Sequence, residues 1–171
     1  MKAFVRVGWF LSILGFVVAL FGTYKDLTDV VAISFDGGTR GLQINRDVYF
    51  YGAVALLLVG NVLFFVLARV LPSVPKQLFR IPAAGYWHRD MLHRRALDRI
   101  LTGWIYGLAA VYNFFIIVAM TMVESGNQVE GDRTRYDGLL LIGFALLIIT
   151  LITLPIRLRR QRMSLVSADE R

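Results

Sequence analysis

Phe50-Tyr51-Gly52-Ala53-Val54-Ala55-Leu56-Leu57-Leu58-Val59-Gly60-Asn61-Val62-Leu63-Phe64-Phe65-Val66-Leu67 holds one amide, Asn61, and one phenol, Tyr51, among apolar side chains. A helix of about 20 such residues, rising 1.5 Å per residue, crosses a hydrocarbon core of about 30 Å. A core helix of a soluble domain keeps a polar face, and this stretch has almost none, so its solvent is lipid. Three further stretches read in the same way. The four spans run about 4–22, 49–71, 100–123 and 138–156, and with short connections they use most of the 171 residues. The expected fold is an all-α membrane protein, a four-transmembrane-helix bundle forming one polytopic domain over residues 1–171.

The net charge of +7 is divided unevenly between the connections. The segments before span one, between spans two and three and after span four hold fourteen Lys and Arg against four acids, a net of +10. The other two connections hold five against eight, a net of −3. The positive-inside rule then places both termini and the 71–99 connection in the cytoplasm. An asymmetry that orients a membrane protein leaves no call for nucleic acid as a partner. Met1–Arg6 followed by an apolar run has the outline of a signal peptide. No small-x-small pair closes that run, so span one is expected to be retained. No Cys is present, which removes disulfides, thiolate nucleophiles and Cys-held zinc.

Gly8, Ser12, Gly15, Ala19 and Gly22 recur at spacings of four and three along span one, as a helix-packing face does in lipid. Gly103, Gly107 and Ala110 make a shorter stripe in span three, and a contact between these two spans is expected. Asn61 lies about 15 Å from the inner end of span two and Asn113 about 20 Å from that of span three, so the two amides are expected to meet near mid-membrane. No acidic, basic or His side chain lies deep in a span, which argues against a pump or ion-coupled transporter.

In the loop between spans one and two, β-prone residues 30–35 and 42–44 flank Asp36-Gly37-Gly38-Thr39-Arg40-Gly41. This pattern predicts a small extracytoplasmic β-hairpin. Ile33, Phe35 and Arg40 are its candidate contacts for a ligand or partner, beside an edge strand open to pairing. The inner connection begins irregularly at Pro72, Pro75 and Pro82. It becomes helical after Asp90, an N-cap, with Tyr86 and Trp87 suited to headgroup level. His88 and His93 point to different helix faces and make no metal pair. Arg157, Arg159, Arg160 and Arg162, just inside span four, are candidate contacts for anionic lipid headgroups.

The chain resembles bacterial four-helix membrane proteins related to the sporulation-delay immunity proteins, in the family that shares their N-terminal half. Leu27-Thr28 stands where that family has Leu-Pro, Ile33-Ser34-Phe35 where it has His-Phe, and Gly37, Gly38 or Gly41 at its turn glycine. Ile81-Pro82-Ala83-Ala84-Gly85-Tyr86-Trp87, with Arg94, Ala96 and Leu97, is similar to the Tyr-Trp segment and helix leading into its third span. The resemblance implies a role in immunity to, or sensing of, a secreted molecule at the bacterial inner membrane.

With no nucleophile–base pair and no metal set, the expectation is a non-enzymatic protein without cofactor or metal. Its work is immunity, sensing or scaffolding, with lipids, an extracytoplasmic protein or peptide, and a second copy of the chain as partners to consider. The alternative is a small channel, transporter or accessory subunit lined by Asn61, Asn113, Thr150 and Thr153.

Overall fold

The computed structural model describes residues 2–36, 39–71, 74, 84–87, 89–128 and 134–169. In chain order these form α1 (Lys2–Asp26), β1 (Val30–Ala32), β2 (Phe35–Asp36), β3 (Thr39–Arg40), β4 (Gln43–Asn45), α2 (Arg46–Val70), α3 (Ala84–Trp87), α4 (Met91–Asn127) and α5 (Thr134–Asp169). α1, α2, α4 and α5 are each long and apolar enough to cross a membrane. The expected four spans and the hairpin between the first two are therefore present.

The helices outrun the apolar stretches that predicted them, because local chemistry sets their ends. α4 starts at Met91, where the Asp90 carboxylate accepts from the backbone N–H of Leu92 and of His93, both at 2.9 Å. α2 starts directly after β4, where the Asn45 side chain accepts from the Asp47 N–H at 2.7 Å. α5 passes straight through Pro155 and carries the arginine segment as helix to Asp169, well beyond the expected end at 156. Pro155 removes one backbone donor, and in the turn before it the Thr150 carbonyl accepts from Thr153 Oγ1 at 2.7 Å and Trp104 Nε1 at 2.8 Å. Both bonds fall on the carbonyl next to that of Leu151, the one the proline leaves without its helical donor.

The bundle is built around α4. α1, α2 and α5 each pack on it, α1 and α2 touch each other far less, and α5 meets the other two hardly at all. Phe16, Leu20, Ala53, Leu57 and Met120 form the core among α1, α2 and α4. Nearer the other end, Ala68 of α2 packs with Ile105 and Tyr106 of α4. Trp87, Leu97, Leu101 and Leu158 join α3, α4 and α5. Leu58, Val59 and Val62 on α2, and Leu141, Ile148 and Ile152 on α5, stay exposed, as lipid-facing side chains do.

β1 pairs antiparallel with β4, with Val31 opposite Ile44, and β2 with β3, with Phe35 opposite Arg40. Gly37 and Gly38, Pro72, Pro75, Pro82 and His88 lie outside the described residues.

Candidate functional site

Trp9, Ser12, Asn61 and Asn113 converge where α1, α2 and α4 meet. Asn61 Nδ2 donates to Asn113 Oδ1 at 2.7 Å and to the Leu57 carbonyl at 2.8 Å. Asn113 Nδ2 donates to Ser12 Oγ at 2.9 Å, and Ser12 Oγ donates to the Trp9 carbonyl at 2.6 Å. Trp9 Nε1 closes the ring by donating to Asn61 Oδ1 at 2.7 Å. Asn113 has no exposed surface at all. The network joins three helices and contains no ionisable group, so it fixes their register and relays no proton. Trp9 was not singled out in the sequence, although an indole N–H placed in lipid has to find an acceptor.

The small-residue stripe of span one meets this interface only at its middle. A Cβ at Gly15 would stand 3.6 Å from Ile117 Cδ1, while at Gly8 and Gly22 it would meet nothing within 4 Å. Ala19 is half-buried, and Phe16 and Leu20 carry most of the contact. Span one does pack on span three, but Gly103 and Gly107 face α5 instead, where an added Cβ would stand 3.8 Å from Arg157 Nη1 and 3.5 Å from Thr150 Cγ2. α2 meets α4 tightly at Gly60, where an added Cβ would fall within the Tyr112 ring. Tyr112 reaches over that glycine to donate to the Leu56 carbonyl at 2.7 Å.

At the end of the bundle bearing the hairpin, the last turn of α4 holds the strands. Asn127 Oδ1 accepts from the Ala32 N–H at 2.9 Å, and its Nδ2 donates to the Ala32 carbonyl at 2.8 Å. The amide thus occupies the edge of β1 as a neighbouring strand would, and that edge is closed at Ala32. Phe35 lies over Gly126, and Arg40 Nη2 donates to the Asn127 carbonyl at 2.9 Å. Two of the three candidate partner contacts are therefore fastenings to α4, and Ile33 is half-buried. Val30 and Leu42 are the exposed apolar side chains of the hairpin. Below it, Thr23 donates to Glu124 Oε2 at 3.1 Å, and Arg46 bridges to Asp29 at 3.2 Å while lying over Tyr24.

At the opposite end Trp87 is buried, its indole filling the space between the start of α4 and the end of α5. One turn of helix, α3, folds Trp87 back onto the protein, so its ring meets side chains of α4 and α5. His93 is buried edge-on against Tyr86, with Nδ1 2.8 Å from Asp90 Oδ1. Hydrogen bonds from the backbone and side chain of His93 hold the Asp90 carboxyl below its ordinary 3.8. Arg159, Arg160 and Arg162 are exposed and Arg157 is half-buried; Arg162 covers the Tyr86 ring.

Within one chain the four residues of the channel alternative fall into two separate pairs. Asn61 and Asn113 bond to each other, while the hydroxyls of Thr150 and Thr153 bond to carbonyls of their own helix, α5, which packs on a different face of α4.

Four membrane-capable helices gathered on α4, with a hairpin fastened across one end, define a multi-pass integral membrane protein. No protein-family model, no curated protein and no solved structure matches the chain.

Proposed function

We propose that this chain is a non-enzymatic sensing or immunity protein of the bacterial cytoplasmic membrane, with its termini inside and its hairpin outside. The observation that carries the reading is the attachment of the hairpin to α4 through Asn127, Phe35 and Arg40. α4 has 37 residues, so it extends about 55 Å from the hairpin to the segment that buries Trp87 and His93. A molecule that displaces the hairpin from outside acts directly on the helix against which every other span packs. Val30 and Leu42 offer it apolar contact. The charge asymmetry supports the orientation, and the resemblance to sporulation-delay immunity proteins supports the role.

Sensing requires the two ends of α4 to respond together. Hydrogen exchange of the protein in lipid nanodiscs is compared between the wild type and Asn127→Ala, which removes the two side-chain bonds holding β1 to α4. The reading expects altered protection at residues 86–97 as well as at 30–45. A change confined to 30–45 reduces the hairpin to a cover. Solute flux across proteoliposomes would turn the assignment to the channel alternative.

A further inference from the structure

A groove of about 1020 Å³ lies at the end of the bundle opposite the hairpin, between the start of α1, the start of α4 and the end of α5. Arg99 of α4 and Arg157 and Arg160 of α5 line it, and no carboxylate is among its described lining residues. Of Arg157, Arg159, Arg160 and Arg162, the first and third line the groove, while Arg162 covers Tyr86. Arg99 joins them from a different helix. Arg157 Nη1 lies against α4 at Gly103, 3.8 Å from where a Cβ on that residue would stand. Val5, Ile100 and Ile156 supply apolar walls beside the charges.

Three arginines lining one groove, with no acid among its described lining residues, make it favourable to an anion. Guanidinium geometry matches phosphate oxygens, two N–H groups to two oxygens. The groove lies where the apolar stretch of α5 gives way to its basic turns, which is headgroup depth in a bilayer. A free phosphate would satisfy the arginines and leave the apolar walls wet, whereas a lipid covers both. We propose that this groove binds an anionic phospholipid, its phosphate held by Arg99, Arg157 and Arg160 and its acyl chains laid along Val5, Ile100 and Ile156. The site rests on the multi-pass membrane fold alone and is independent of the sensing role.

The test is native mass spectrometry of the full chain in mild detergent with cardiolipin, phosphatidylglycerol or phosphatidylethanolamine added. Wild type should retain the two anionic lipids and shed the zwitterionic one. Each of Arg99→Gln, Arg157→Gln and Arg160→Gln should weaken retention about fivefold, the scale of one basic residue at an anionic surface. Arg159→Gln should leave it unchanged. The triple Lys variant, which keeps the charge and loses the fork, guards against misfolding: it should melt like the wild type and retain lipid to an intermediate degree. Equal retention of the zwitterionic lipid, or undiminished retention by the triple Gln variant, overturns the proposal. Displacement of the lipid by millimolar inorganic phosphate also overturns it and assigns the groove to a soluble anion.

Discussion

Asn113 uses both polar atoms of its buried amide, and losing it strips a bond from Asn61 and one from Ser12. Asn113→Ala should destabilise the protein by about 1–2 kcal/mol in reversible unfolding from bicelles. Tyr112→Phe, which loses one bond at an exposed site, should cost under about 1 kcal/mol. Equal costs would mean that the three-helix network adds nothing beyond ordinary packing. Asp90 gives a pH effect of definite sign. Its carboxyl titrates below 3.8 in the folded protein because hydrogen bonds from His93 favour the ionised form. The cap is therefore fully in place above the ordinary carboxylate range and is lost as pH falls through the lowered value. Amide protection at Leu92 and His93 should drop over that acid window, and Asp90→Asn, still a cap but with no charge to titrate, should abolish the dependence.

On the scale of a single element, α1 presents two kinds of glycine. Gly15 faces Ile117, and Gly15→Leu should cost about 1–3 kcal/mol by overpacking. Gly8→Leu and Gly22→Leu add side chains into open space and should be near neutral in the same unfolding assay. A uniform penalty along the stripe would restore it as the packing face. α5 differs from the other spans because α4 is the one span it packs on extensively, through Trp104 to the Thr150 carbonyl, Gly107 and Phe115 against Gly143. It should lose exchange protection before α1, α2 and α4 as detergent strength rises, and Trp104→Phe should bring that loss earlier. Simultaneous loss from all four helices would make the bundle one cooperative unit.

For the whole molecule, orientation follows from charge, and fusions place it. A reporter after Arg171 should behave as cytoplasmic and one inserted at Thr39 as external. An external tail would invert the proposed topology and put the arginine groove in the outer leaflet. The bundle is open because its helices surround α4 rather than one another, so much of the apolar surface of α2 and α5 meets lipid directly. The inner core is small and shared, which is why one amide network weighs heavily in it.

The spans, the hairpin between the first two, the Asp90 cap and the meeting of Asn61 with Asn113 were all legible in the chain. Each depends on spacing along one or two elements: an apolar run the width of a bilayer, Asp-Gly between β-prone segments, two amides at similar depth in antiparallel helices. Rotation of the helices about their axes was not legible, because a helix apolar all round has no polar face to orient it. Only the packed structure therefore decided that Gly103 and Gly107 face α5, that Gly60 receives Tyr112 and that Gly8 and Gly22 face open space. The same holds for contacts between segments far apart in the chain. Asn127 reaches Ala32 across 95 residues, and Arg99 stands beside Arg157 and Arg160 only because α4 and α5 place their basic ends together. Local chemistry determined which elements form; the close packing of side chains determined which faces they share.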